Sequence, residues 1–215
     1  MNESSAGSER VLIGPRKLEG DLVVPPRAWG LIVFAHGSGS TRHSPRNVQV
    51  ARALQKRQFG TLLFDLLLPD EALERRTTFD IELLARRLCD TIEWLGRRPS
   101  LAALPIGLFG ASTGAAAALV AAARHADRVF AVVSRGGRPD LAGTVLGAVK
   151  APTLLIVGGA DTEVLALNRA ALGRLNNCSE LTVVPHATHL FEEPGALERV
   201  AQLAGDWFVD QMKTR

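Results

Sequence analysis

Gly110-Ala111-Ser112-Thr113-Gly114 fits the pattern G-x-S-x-G, directly after the apolar run Ile106–Phe109 and before an alanine-rich stretch. This is the layout of a nucleophile elbow, in which a strand turns at once into a helix and lifts a serine hydroxyl above the sheet edge. The turn forces the serine into a strained backbone conformation, and side chains two positions away would crowd neighbouring backbone, so Gly110 and Gly114 make it possible. The helix N-terminus also leaves free N–H groups and a positive dipole end beside Ser112, where an oxyanion would form. A glycine-rich strand-to-helix turn is common, so these five positions do not decide the chemistry alone.

Two later strand ends supply the partners an activated serine needs. Asp161 follows the apolar run Thr153–Val157 inside Gly-Gly-Ala-Asp, and His189 follows Glu180–Val184 inside Ala-Thr-His-Leu-Phe. His189 would take the Ser112 proton as general base and return it to the leaving group, while Asp161 would hold the imidazole tautomer. His186 is a rival base, but His189 lies deeper in the loop. Asp65, Glu163, Glu192 and Glu193 are rival acids whose plainer uses are loop bracing, helix starts and solvated charge. One oxyanion donor is expected from the Thr113 N–H. The other is expected from the loop His36-Gly37-Ser38-Gly39, with the Ser38 N–H as candidate. That loop lacks the Gly-Lys-Ser/Thr ending of a phosphate-binding P-loop, and His36 is expected to fix the loop rather than act as a base.

Positioning these residues takes alternating strands and helices. Strands are expected at Arg10–Gly14, Asp21–Val24, Trp29–Ala35, Thr61–Asp65, around Ile106–Phe109, Arg128–Val133, Thr153–Val157 and Glu180–Val184. Helical spacing covers Asn47–Gln58, Phe79–Leu95, the segment after Ser112, Glu163–Leu175 and Gly195–Met212, with Leu66–Thr78 read as loop and Pro139–Lys150 as a short irregular or helical connection. The fold class is therefore α/β, a mainly parallel sheet with helices on both faces and function at the carboxyl ends of the strands. Residues 1–9 are polar and small, and are expected to be a disordered lead-in to a single domain over residues 10–213.

The order Ser, Asp, His along the chain, with His-Gly-Ser-Gly-Ser after an early strand, resembles the dienelactone-hydrolase-related α/β-hydrolases from about Val11 to Phe208. The resemblance implies the α/β-hydrolase fold, carboxylic-ester hydrolysis and the triad Ser112, Asp161 and His189. Relatives of this sort often occur beside or fused to phosphoribosyltransferase domains. Dienelactone hydrolases proper use cysteine where this chain has Ser112, which makes ordinary ester or thioester hydrolysis as natural a use as lactone opening.

Composition narrows the partners. At 215 residues with 47% apolar and 22% charged residues, the chain can bury a full core. It carries no apolar run of the roughly 20 residues a membrane span needs. Cys89 and Cys178 make no disulfide framework, and Cys89 reads as a core residue, so the expected compartment is the cytoplasm. The net charge of +3 comes from scattered arginines without an aromatic-interleaved stripe, which argues against nucleic acid. No cofactor or metal is implied, because the histidines lack ligand spacing. Only connecting residues stand between Val133 and Thr153, where a lid domain could be inserted, so the site should be open and suit a small ester-type substrate.

Arg42, His43, Arg46, Arg135 and Arg138 fall on catalytic-edge loops. They are candidates for binding a substrate carboxylate or phosphate, with surface charge or loop bracing as the alternative. Three function classes stay open: a serine hydrolase, an acyltransferase or peptidase on the same triad, and a non-catalytic binding protein of the same fold.

Overall fold

The computed structural model describes residues 7–175 and 178–214. Eight strands form one sheet in the order β1-β2-β4-β3-β5-β6-β7-β8. These are β1 (Ser8–Ile13), β2 (Leu18–Val23), β3 (Leu31–Ala35), β4 (Gly60–Phe64), β5 (Ile106–Ala111), β6 (Val129–Arg135), β7 (Thr153–Gly158) and β8 (Glu180–Val184). β2 runs antiparallel to β1 and β4, and the pairs from β4 through β3, β5, β6 and β7 to β8 are parallel. β3, β4, β5 and β7 are buried along their whole length, which is why they read as unbroken apolar runs rather than alternating ones.

The helices are α1 (Pro45–Lys56), α2 (Pro69–Leu73), α3 (Arg75–Thr78), α4 (Ile81–Gly96), α5 (Thr113–Arg124), α6 (Thr162–Leu172) and α7 (Ala196–Lys213). Two apolar cores lie on either side of the sheet. One packs Leu84, Leu88 and Ile92 of α4 and the alanines of α5 against Val33, Leu62 and Leu108. The other packs Val50 and Leu54 of α1 and Val200 and Phe208 of α7 against Ile32, Phe109 and Val133. Inward residues of neighbouring strands alternate between these cores, as the period of two requires.

Two expectations are corrected, and the short irregular or helical β6–β7 connection is found as read. Ser8 and Glu9 belong to β1, paired with Val23 and Leu22, so the lead-in cannot extend to residue 9; residues 1–6 lie outside the described residues. Leu66–Thr78 is not loop throughout but contains α2 and α3, helices too short to show periodicity in sequence. Glu71 holds them in place: its carboxylate accepts from the Leu68 N–H at 2.9 Å and from Arg87 of α4 at 2.8 Å. The β6–β7 connection is a 3-10 segment, Pro139–Ala148, kinked at Gly143.

The sheet brings the ends of β3 and β5 together at one point. A Cβ on Gly110 would come within 2.8 Å of the Ala115 nitrogen, and one on Gly114 within 2.5 Å of the His36 carbonyl oxygen. Gly114→Ala should therefore cost about 3 kcal/mol or more, or abolish folding. Gly173→Ala should stay within about 0.5 kcal/mol of the wild type, because Gly173 has helical φ/ψ and its added Cβ would meet nothing nearer than 3.7 Å. Urea unfolding of both variants checks the contrast.

Candidate active site

Ser112 sits between β5 and α5 with φ 50° and ψ −121°, the strained conformation of an elbow. Its N–H donates to the Arg135 carbonyl at 3.3 Å and its carbonyl accepts from the Arg138 N–H at 3.1 Å. The end of β6 thus clamps both sides of the residue. Thr113 is the first residue of α5, so its N–H precedes the helix's own hydrogen bonds and is available beside Ser112.

Asp161 and His189 meet on neighbouring loops. Asp161 Oδ2 lies 2.7 Å from His189 Nδ1, the bond that fixes an imidazole with Nε2 free to act as base. The loops after β7 and β8 are joined by backbone: Gly159 N–H donates to Val184 O at 2.8 Å and Ala160 N–H to Ala187 O at 3.0 Å. Glu193 accepts from the Thr188 N–H at 3.0 Å and so braces the histidine loop, while Glu163 is an exposed residue of the first turn of α6. His186 is exposed and carries a positive φ of 61°, and Asp161 bonds His189 instead.

His189 packs beside Gly136, and α5 beside Gly137. A Cβ on Gly136 would lie 3.6 Å from His189 Cε1, and one on Gly137 2.6 Å from the Ala115 Cβ in α5. The Gly137 carbonyl accepts from the buried Asn168 at 2.9 Å. Sequence reasoning missed this glycine pair, although two glycines closing an apolar strand are the signal that could have found it.

The loop after β3 presses on the elbow from the other side. A Cβ on Gly37 would lie 3.0 Å from the Ser112 Cβ. The Ser38 N–H, expected to face an oxyanion, donates to Thr113 Oγ1 at 3.0 Å. The hydroxyl of Thr113 therefore occupies the donor expected for the oxyanion, and ties the loop to the residue after the nucleophile. His36 fixes the same loop. Its Nε2 accepts from the buried Leu66 N–H and its Nδ1 donates to the Gly37 carbonyl, both at 3.0 Å, which defines a neutral ring. Burial pushes its pKa below the ordinary 6.5, against the opposing pull of the Gly37 carbonyl and Asp65.

The catalytic-edge arginines differ in what they meet. Arg42 is surrounded by Glu19, Asp21 and Asp65, so Asp65 is a loop brace and Arg42 is not a free anion receptor. Arg138 makes a two-pronged pair with Asp140 at 2.9 and 2.8 Å, and its charge is likewise satisfied. His43 is exposed, 3.9 Å from Asp21. Arg46 pairs with Glu192 at 3.0 Å on the surface. Arg135 is 7% exposed and has no carboxylate partner among the described residues.

A cavity of about 440 Å³ adjoins the oxyanion loop, lined by Gly37 and Ser38, by Leu67, Leu68 and Ala72, and at its rim by Lys17 and Arg42. Burial pushes the Cys89 thiol up, away from reactivity. Among the described residues no cluster of histidine, cysteine or carboxylate groups could hold a metal, and no helix is long and apolar enough to cross a membrane.

A family model described as alpha/beta hydrolase fold matches residues 30–175. A crystal structure of a dienelactone hydrolase from Anabaena variabilis ATCC 29413 is 54% identical with a TM-score of 0.91, over 95% of this chain and 97% of that one. The chain belongs to the alpha/beta hydrolases, as a dienelactone-hydrolase-like member. A putative phosphoribosyl transferase of Mycobacterium tuberculosis (strain ATCC 25618 / H37Rv) is 60% identical over 203 residues, which are 94% of this chain and 46% of that protein. The chain thus spans about half the length of the curated relatives it matches. Est1E from Butyrivibrio proteoclasticus shares the fold at 17% identity, with a TM-score of 0.81 over 97% of this chain and 100% of that one. Across this alpha/beta hydrolase the residues missed in sequence, Asn168 and the Gly136-Gly137 pair, act on the backbone beside the elbow.

His36 generates a pH prediction. The folded protein holds it neutral while the unfolded chain titrates near 6.5, so its contribution is complete above that value. It is lost as pH falls toward and through the lower folded-state value, with a slope approaching about 1.4 kcal/mol per pH unit. His36→Gln, which keeps an acceptor for the Leu66 N–H, should flatten the fall in melting temperature between pH 7 and 5. An unchanged fall would assign the acid sensitivity elsewhere. Thr113→Val should cost about 1 kcal/mol in urea unfolding by removing the Ser38 bond, with Thr113→Ser close to wild type.

Proposed function

We propose that this alpha/beta hydrolase is a serine hydrolase that cleaves a small ester, lactone or thioester through an acyl-enzyme. Ser112 attacks the carbonyl carbon as His189 takes its proton, and the Thr113 N–H stabilises the oxyanion. The tetrahedral intermediate collapses as His189 protonates the leaving group. Water, activated by the same imidazole, then releases the acid and restores the serine. Asp161 keeps Nε2 of His189 directed at the elbow and stabilises the imidazolium.

The observation that carries this reading is the 2.7 Å bond between Asp161 and His189, with His189 beside Gly136, the residue after the Arg135 carbonyl that accepts the N–H of a serine of positive φ. The cavity beside the oxyanion loop is mostly apolar and, at about 440 Å³, suits a small acyl or alcohol group. The similarity to a dienelactone hydrolase supports the class of reaction. Serine in place of cysteine favours oxygen-ester and thioester substrates alongside lactones. A cytoplasmic setting belongs to the same proposal.

Steady-state hydrolysis of 4-nitrophenyl acetate and butyrate and of a small lactone tests the assignment. Ser112→Ala and His189→Ala should each lower kcat by about 10³-fold or more, and Asp161→Asn by about 10²–10⁴-fold, with little change in KM. Full activity in folded Ser112→Ala would remove the serine from the mechanism.

A further inference from the structure

The hydrogen-bond donors around Ser112 can be followed one by one. The Ser112 N–H is spent on the Arg135 carbonyl, and the Ala115 N–H on the Ser112 carbonyl at 3.1 Å. The Ser38 N–H, from the loop after β3, is spent on Thr113 Oγ1 at 3.0 Å. Two donors on the residue after the nucleophile have no acceptor among the described residues, the N–H and the hydroxyl of Thr113.

The hydroxyl is the informative one. A threonine hydroxyl carries one proton and two lone pairs, and in a folded chain it commonly gives the proton to a nearby backbone carbonyl. The buried Thr78, Thr91 and Thr153 do so, to the carbonyls of Arg75, Arg87 and Ala151. Thr61 only accepts, from Gln55, but it sits near the start of β4, away from the catalytic edge. Thr113 is 2% exposed and is the first residue of α5, so no helical carbonyl lies behind it. A buried donor without an acceptor is costly. The reaction offers an acceptor here, the negative oxygen that forms when Ser112 attacks a carbonyl. The loop that holds the hydroxyl also touches the nucleophile, since a Cβ on Gly37 would lie 3.0 Å from the Ser112 Cβ. Gly37 and Ser38 line the cavity beside the site as well. Accepting from the Ser38 N–H polarises the Thr113 O–H and strengthens it as a donor.

We propose that the Thr113 hydroxyl is a catalytic group, the second donor of the oxyanion hole, and that the Ser38 N–H acts on the oxyanion through it rather than directly. This rests on the hydrolase reading above. The N–H and the O–H of one residue then meet the same oxygen. No proton is transferred: the O–H bond stays intact, and its hydrogen bond strengthens as the carbonyl oxygen becomes negative and relaxes when the intermediate collapses.

The test compares wild type, Thr113→Val and Thr113→Ser on the full chain, with two readouts. One is hydrolysis of 4-nitrophenyl butyrate. The other is inhibition by an alkyl trifluoromethyl ketone, which a reactive serine adds to as a stable hemiketal oxyanion. Thr113→Val, close to threonine in shape, should lower kcat by about 10²-fold with KM within about threefold. It should weaken the fluoroketone by a similar factor. Thr113→Ser, which keeps the hydroxyl, should recover at least about tenfold of both losses. Should Thr113→Val fail to fold, Thr113→Ala carries the same comparison. A folded Thr113→Val whose kcat and fluoroketone affinity match wild type overturns the proposal and makes the Ser38 bond a structural tie. A kcat that rises in Thr113→Val also overturns it, because the hydroxyl would then block the Ser38 N–H instead of extending it. Equal losses in Thr113→Ser and Thr113→Val would do the same. Folded wild type that hydrolyses no ester and binds no fluoroketone fails the hydrolase reading itself, and the proposal with it; the other contrary outcomes fail the proposal alone.

Discussion

The close passage of the β5–α5 turn against the end of β3 is the constraint on which the rest depends. Ser112 can hold its positive φ only because Gly110 and Gly114 let backbone approach where a Cβ would collide with Ala115 and His36. That contact sets the height of the serine above the sheet and seats Gly37 against it. It also brings Thr113 Oγ1 within reach of the Ser38 N–H, 75 residues away. Around this point the parallel strands deliver their loops in spatial order, β3 on one side and β6, β7 and β8 on the other. The Asp161–His189 bond is then a consequence of neighbouring β7 and β8 ending at the same level.

Charge at the catalytic edge follows a second logic. Arg42 and Arg138 spend their guanidinium groups on loop carboxylates, which stiffens the loop after β3 and the one after β6. His36 does the same work without charge, since burial keeps it neutral between two backbone groups. Arg135 alone in this group is buried without a carboxylate. Its guanidinium instead meets the Asn47 side-chain oxygen at 3.5 Å and lies 6.0 Å from the centre of the Phe191 ring.

Much of the site was legible in the sequence because each member closes an apolar run. The elbow glycines, Asp161 and His189 are local signals, and the alternation of strands and helices placed them on one edge. What the sequence could not reveal depends on partners far along the chain. Which arginine lacks a carboxylate is decided by Glu19 and Asp65, each 23 residues from Arg42, and by Glu192, 146 residues from Arg46. The engagement of the Ser38 N–H with a side chain is likewise a long-range event. α2 and α3 are held by Glu71 and Arg87 rather than by their own periodicity, so composition read them as loop. Ser8 and Glu9 look like lead-in by composition, but pairing with β2 makes them strand.

The most direct test of the central claim is to treat the purified protein with a fluorophosphonate and locate the adduct by peptide mass spectrometry. An activated serine predicts one covalent phosphonyl group, on Ser112, formed far more slowly in His189→Ala and absent from Ser112→Ala. Folded wild-type protein that takes up no label, or takes it up at another residue, would contradict the account.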